Sequence, residues 1–133
     1  MLGVPDADTA ENDSGSAHIV ISPVACAVPN RAPSDPRLIG AGRLRIESGS
    51  LLHAIYGRDE VNEEYFCNYE VNPEYETKLQ AAGLRITARG PQGEARAVEL
   101  PGHRFFLATL FQPQLSSTPE RPHPVLAAFL NAI

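Results

Sequence analysis

Cysteine is the side chain in this sequence best suited to act as a nucleophile, and it occurs twice, as Cys26 and Cys67. A catalytic nucleophile commonly lies in a glycine-flanked turn between a strand and a helix. Cys26 lies in Pro23-Val24-Ala25-Cys26-Ala27-Val28, without such glycines, so it is predicted to be a buried small apolar residue. Cys67 precedes Asn68-Tyr69-Glu70 and is the stronger candidate for a site. Nothing else is typical of a disulfide scaffold, so both are predicted to be free thiols.

The four histidines do not form a metal-binding pattern; they are His18, His53, His103 and His123. Because none is paired at short helical spacing and none has a neighbouring cysteine, no metal site is predicted. They are interpreted as capping or surface residues, with His103 in a turn and His123 at the start of the last helix.

Acidic residues are concentrated near the N-terminus, at Asp6, Asp8, Glu11 and Asp13. The glycine and the distal glutamate of a calcium-binding loop are not at the required spacing. Residues 1–16 are therefore predicted to form a solvated polar arm.

Composition limits the class of protein. The 133 residues, 43% hydrophobic and 20% charged, suit one small domain, residues 1–133, with a packed core. The net charge is -5 and no long basic block is present, which argues against nucleic-acid binding. The apolar stretches are shorter than the roughly 20 residues of a membrane span, so a soluble cytoplasmic protein is expected.

Local patterns predict the elements in the first half of the chain. The β-branched run of residues 18–22 predicts a buried strand, and Leu44 and Ile46, alternating with arginines, predict a strand with one wet face. Ser50 is predicted to cap a short helix that ends at Gly57.

The middle of the chain carries stronger signals. Residues 64–71 are predicted to form one strand leading into a helix over about 73–82, capped by Asn72. Residues 84–89 and 94–100 alternate around a glycine-rich turn and predict a β-hairpin.

Two apolar segments complete the predicted core. The nearly continuous run of residues 105–111 predicts a central strand covered on both faces. Apolar residues at helical spacing predict a C-terminal helix that docks on the sheet: Val125, Leu126, Phe129, Leu130 and Ile133. Together these elements predict an α/β domain with flanking helices and a peripheral β-hairpin.

Three stretches carry a family resemblance in matching order and spacing: Tyr69–Tyr75, Glu99–Phe106 and Arg121–Pro124. The sequence resembles the class I glutamine amidotransferase domain of CTP synthase over nearly its whole length. It also resembles short, degenerate bacterial proteins related to the C-terminal region of that enzyme. The resemblance implies the C-terminal part of a flavodoxin-like α/β sheet and a link to pyrimidine nucleotide biosynthesis.

The resemblance also implies which catalytic positions have changed. The family hydrolyses glutamine with a cysteine nucleophile, a histidine base and a glutamate that orients the histidine. Here the histidine and glutamate positions are Gln112 and Gln114, and the Gly-x-Cys-x-Gly turn is expected before Met1. Because an amide cannot exchange a proton near neutral pH, no catalytic residue is expected in this chain.

The positions that the resemblance assigns to glutamine binding have also changed. The family holds the α-carboxylate and amine of glutamine with a basic cluster where this sequence has Tyr65-Phe66-Cys67-Asn68, without an arginine. Cys67, Asn68 and Tyr69 remain candidate ligand-binding residues, for glutamine or a related small molecule, and no cofactor is predicted.

Three functional hypotheses follow. The first is an inactive amidotransferase-like protein with a ligand-binding or partner-binding role. The second is a glutaminase subunit of a composite enzyme, in which a longer chain or a synthase or amidotransferase partner supplies the nucleophile. The third is an interaction module that forms a homo-oligomer, because an incomplete parallel sheet exposes an edge and an apolar face.

Overall fold

The computed structural model describes residues 3–25 and 27–133, and within these residues it contains eight β-strands and three α-helices. The strands are β1 (Ala7–Thr9), β2 (His18–Pro23), β3 (Leu38–Ile46), β4 (Glu60–Cys67), β5 (Tyr69–Val71), β6 (Arg85–Arg89), β7 (Ala95–Glu99) and β8 (Leu107–Thr109). The helices are α1 (Leu51–Tyr56), α2 (Pro73–Ala81) and α3 (Pro124–Ala132), and a 3-10 turn spans Pro113–Leu115.

The strands form two sheets, one with the order β1-β2-β5 and one with the order β4-β3-β6-β7-β8. Strands β1 and β2 pair in parallel, while β2–β5 and the pairs of the larger sheet are antiparallel. The predicted α/β class is confirmed. The predicted hairpin, β6 and β7, is present but lies inside the larger sheet rather than at its periphery, because β6 also pairs with β3 and β7 also pairs with β8.

The core lies between the larger sheet and the helices. Leu44 and Ile46 are buried while Arg45 is exposed, which confirms the alternation predicted for β3. The residues that form the main buried cluster are Leu44, Ile46, Leu52, Tyr65, Ala88, Ala97, Phe111 and Val125.

Helices α1 and α2 begin where their caps predict. The Ser50 side chain accepts from the His53 backbone N–H at 2.9 Å, and Gly57 ends α1 with a φ of 65°. The Asn72 side chain accepts from the Glu74 N–H at 3.1 Å, one residue after Pro73 starts α2. Local capping chemistry therefore determined both starts.

The prediction of one continuous strand over residues 64–71 was wrong. Strands β4 and β5 belong to different sheets, and Asn68 separates them. The Asn68 side-chain oxygen accepts from the Arg37 N–H at 2.9 Å, and its carbonyl accepts from the Val24 N–H at 2.8 Å. These contacts with the loop between β2 and β3 replace strand pairing at this residue.

The prediction of a central strand over residues 105–111 was also wrong. Only Leu107–Thr109 is a strand, and it pairs with β7 alone, at the edge of the sheet. Phe106 is exposed, whereas Phe111 is buried after the chain has left the sheet. The apolar run therefore forms an edge strand at residues 107–109 and then enters the core at Phe111. Its strand is short because Pro113 and the 3-10 turn change the chain direction just beyond it.

The C-terminal helix α3 forms as predicted but docks mainly through its first turn. Val125 is buried in the core, and α3 packs against α1. Phe129 contacts Phe105 edge to face with ring centroids 5.5 Å apart, while Leu130 is 65% exposed. Much of the apolar side of α3 is therefore open rather than laid on the sheet.

The predicted polar arm, residues 1–16, is partly sheet. Its residues 7–9 form β1 against β2, and the Asp8 carboxylate accepts from the Asn12 side chain at 3.0 Å. Within the described ranges, no helix combines the length and the apolar character that a membrane crossing requires.

Candidate functional site

Gln112 lies against the outer edge of β4. Its backbone N–H donates to the Glu64 carbonyl at 2.9 Å, and its side-chain Nε2 donates to the Phe66 carbonyl at 2.8 Å. Both bonds follow from the position of the residue, directly after buried Phe111 and before the 3-10 turn. The amide is thus engaged in holding the turn to the sheet.

Gln114 is exposed one step further along the turn. Its Nε2 donates to the Gln112 side-chain oxygen at 3.4 Å, a long and weak contact. The two side chains form a short amide chain that ends at a backbone carbonyl. Neither amide can accept and return a proton near neutral pH, so the pair cannot act as a base and its orienting carboxylate.

Cys67 is a free, half-buried thiol at the end of β4. Its Sγ lies 3.8 Å from the Leu110 carbonyl, to which the thiol donates. Burial raises the pKa of the Cys67 thiol, and the neighbouring Arg96 only partly opposes this effect. The nucleophilic thiolate is therefore disfavoured at neutral pH. The other cysteine, Cys26, predicted to be buried, lies outside the described residues.

Asn68 and Tyr69, the other predicted ligand-binding residues, contribute to local structure. Asn68 bonds to the loop between β2 and β3, and Tyr69 pairs with Pro23 in the smaller sheet. The structure places Cys67 next to the Phe66 carbonyl that Gln112 contacts. The role of Cys67, Asn68 and Tyr69 in ligand binding stays a prediction.

A second polar cluster, Tyr56, Glu63 and His123, was not anticipated as a site. Glu63 and His123 are buried, and His123 Nε2 lies 3.0 Å from Glu63 Oε2. The Tyr56 hydroxyl donates to the other Glu63 oxygen, Oε1, and lies 3.3 Å from His123 Nε2. Three residues from α1, β4 and the start of α3 thus meet at one buried carboxylate.

The backbone sets the tautomer of His123. Its Nδ1 accepts from the Val125 N–H at 3.2 Å, as the predicted cap of α3, which assigns the ring proton to Nε2 and makes Nε2 a donor to Glu63. Burial, together with the hydrogen bond to Glu63 and the charge of Glu63, raises the pKa of Tyr56 well above its ordinary value. The cluster is therefore a buried carboxylate with two neutral donors.

The sequence held a partial signal for this cluster. His123 lies in a stretch that carries the family resemblance but was interpreted as a cap, and Tyr56 was interpreted only as part of the short helix that ends at Gly57. Glu63 is one of many acidic residues, and nothing in the sequence pairs it with a residue 60 positions away. Among the described residues, no group of three or more His, Cys, Asp or Glu side chains could hold a metal ion.

Comparison with known proteins decides the relationship. No protein-family model matches the chain. It is 38% identical to a CTP synthase from Caldivirga maquilingensis over 133 residues, 99% of this chain and 24% of that enzyme. It is 37% identical to CTP synthases from Aeropyrum pernix, covering 100% of this chain and 25% of the relative, and from Nocardia farcinica, covering 98% and 24%. A Trypanosoma brucei structure, the glutaminase domain of CTPS with bound acivicin, superposes with a TM-score of 0.86 at 34% identity, over 99% of this chain and 52% of that one.

The chain is related to the glutaminase domain of CTP synthase. The resemblance found in the sequence is thereby confirmed, as is the mixed α/β fold. The chain spans about a quarter of the length of these curated CTP synthases and about half of the glutaminase-domain chain. The activity of the whole enzyme is therefore a separate question for this chain.

Proposed function

We propose that this glutaminase-domain relative of CTP synthase does not hydrolyse glutamine on its own. The observation that carries the proposal is the engagement of Gln112. Its amide donates to the Phe66 carbonyl at 2.8 Å, and Gln114 donates to Gln112 in turn. Amides at the positions that the family resemblance assigns to the base and its orienter supply no group that could activate a thiol.

The chemistry of Cys67 supports the same conclusion. Its thiol is half-buried with a raised pKa, and among the described residues no imidazole is a hydrogen-bond partner of the thiol or a group that shifts its pKa. Loss of triad members typically costs about four to six powers of ten in kcat. A chain with both Gln112 and Gln114 is therefore expected to hydrolyse glutamine at least about four powers of ten more slowly than a chain with the intact triad.

Ammonia release from glutamine by the purified chain tests this proposal. We expect no release above buffer from the chain alone, with or without ATP and UTP, and no release beyond that of the partner itself when a CTP synthase partner is added. Clear turnover by the chain alone would overturn the proposal.

The alternative of a composite enzyme is tested by the same assay. A double variant, Gln112→His with Gln114→Glu, restores the two side-chain types that the family uses. Turnover by wild type with a partner, above the turnover of that partner alone, would favour the composite enzyme. Turnover by the double variant with a partner, and none by wild type, would show that Gln112 and Gln114 block catalysis.

Self-association or partner binding is a second candidate function. Large apolar side chains are exposed around α3: Phe106, Phe129, Leu130 and Ile133. Exposed apolar patches mark interaction sites, and three of these four side chains are close in sequence at the end of α3. We expect concentration-dependent association in sedimentation velocity, weakened by Leu130→Glu and unchanged by Asn131→Glu, which adds the same charge at a neighbouring exposed position. A compact monomer at every concentration would remove this candidate.

A further inference from the structure

A cavity of about 480 Å³ opens beside the Tyr56, Glu63 and His123 cluster. This volume lies within the roughly 300–1,000 Å³ range of small-molecule sites. The end of α1, strand β4 and the loop before α3 form its walls, and Asn62 and Ser116 add neutral polar groups.

Two arginines, Arg58 and Arg121, line the same cavity. Among the described residues, neither guanidinium makes a hydrogen bond or an ion pair. By contrast, several arginines that do not line this cavity form ion pairs with carboxylates: Arg43, Arg85, Arg89 and Arg96. Among the described residues, the cavity therefore gathers two cations that have no ion-pair partner, against the single carboxylate of Glu63 in its wall.

The acidic residues next to Arg58 in the chain are engaged elsewhere. Asp59 contacts His53 at 3.1 Å, and Glu60 contacts Arg43. Inside the cavity, the oxygens of Glu63 already accept from Tyr56 and His123. In a chain of net charge -5, the mouth of this cavity is thus a local positive site.

We propose that this cavity binds a small organic anion whose phosphate or carboxylate group is held by Arg58 and Arg121. Guanidinium groups bind both anions through paired, charge-assisted hydrogen bonds. A hydroxyl group elsewhere on the ligand would donate to Glu63, which is an acceptor-only side chain in the wall. The rigid prolines on either side of His123, Pro122 and Pro124, hold that wall in place.

The site is separate from the altered catalytic positions. Gln112, Gln114 and Cys67 are not part of the cavity lining. Loss of glutamine hydrolysis therefore leaves the cavity intact, and the two proposals can fail independently.

Isothermal titration calorimetry of the purified chain tests the proposal with three probes: inorganic phosphate, glycerol 3-phosphate and succinate. We expect at least one probe to bind, with glycerol 3-phosphate tighter than inorganic phosphate if the hydroxyl contact forms. The double variant Arg58→Gln with Arg121→Gln should weaken that binding by about tenfold or more, because it removes both charge-assisted contacts.

Two controls make the result specific. Arg104→Gln removes one charge from an exposed arginine that is not part of the cavity, and it should leave the affinity unchanged. The His123 ring signals in an NMR titration should shift with the bound probe, since the ring lies in the cavity wall. Absence of binding by all three probes would overturn the proposal, and so would an equal loss of affinity in Arg104→Gln and the double variant.

Discussion

The Gln112 side chain donates to the Phe66 carbonyl at 2.8 Å, while its backbone N–H donates to the Glu64 carbonyl. Both carbonyls belong to β4, one of the two edge strands of the larger sheet. Unpaired carbonyls on an edge strand invite pairing with another chain. Gln112 therefore covers part of a sheet edge.

The first prediction is that Gln112→Ala lowers the free energy of unfolding by about 1 kcal/mol, the usual net value of one hydrogen bond. Urea denaturation monitored by circular dichroism measures it. Gln114→Ala serves as the control and should change stability by less than about 0.5 kcal/mol, because Gln114 is exposed and its bond is long. Equal losses of stability in both variants would mean that the hydrogen bond from Gln112 to the Phe66 carbonyl does not stabilise the fold.

The second prediction concerns the buried pair of Arg96 and Glu70. Arg96 is 4% exposed and contacts Glu70 at 2.6 Å and Glu94 at 2.7 Å. Arg96→Ala leaves the Glu70 carboxylate buried without its cation, so we expect a loss of about 3–5 kcal/mol in urea denaturation. Combining Arg96→Met with Glu70→Gln should recover part of this loss, since the amide oxygen can still accept from the Ala25 N–H.

Arg43→Ala is the matched control for that experiment. Arg43 and Glu60 form an ion pair on the surface, with side chains 66% and 47% exposed. Exposed pairs contribute about 0–1 kcal/mol, so this variant should remain near wild type. A surface variant as destabilised as Arg96→Ala would contradict the importance of burial.

An element of the fold could be predicted where the residues that determine it lie close together in the sequence. The starts of α1 and α2 were predicted correctly because Ser50 and Asn72 bond to N–H groups two or three residues away. The division of β4 from β5 was missed because it depends on Arg37 and Val24, which contact Asn68 from another loop. Such distant contacts leave no pattern in the segment itself.

The same distinction applies to the sites. Gln112 and Gln114 were assigned to the catalytic positions from motifs whose order and spacing are visible in the sequence, and that assignment stays a prediction. The Glu63–His123 contact joins residues 60 positions apart, and the cavity beside it depends on the packing of three elements. The types of these side chains can be read from the sequence, but their proximity in the folded protein cannot.

The third prediction is that Gly42→Ala lowers stability by about 1–3 kcal/mol through overpacking. A Cβ at Gly42 would lie 2.8 Å from Cε2 of the buried Tyr65 ring, which the core holds in place. Thermal denaturation measures the change. Ala41→Ser, at an exposed position of the same strand, should shift stability by no more than about 0.5 kcal/mol. A Gly42→Ala protein as stable as wild type would show that the ring can move.

The fourth prediction is a loss of stability at alkaline pH that depends on Tyr65. Burial raises the pKa of Tyr65 above its ordinary value, and the attraction of Arg96 opposes this only in part. Above about pH 10 the unfolded chain releases the Tyr65 proton while the folded chain keeps it. Because the folded state then binds more protons, the free energy of unfolding falls as pH rises, by up to about 1.4 kcal/mol per pH unit for each such tyrosine.

Tyr65→Phe should make this alkaline slope shallower and leave stability at neutral pH within about 1 kcal/mol of wild type, because the ring and its contact with Arg96 remain. Tyr56→Phe separates the effect on the alkaline slope from the effect on stability at neutral pH. Burial and Glu63 also raise the pKa of Tyr56, so its loss should flatten the slope as well. At neutral pH, however, it deprives buried Glu63 of a donor and should cost about 1–3 kcal/mol. Urea denaturation between about pH 8 and pH 11 measures both, and an unchanged slope in Tyr65→Phe would contradict the assignment.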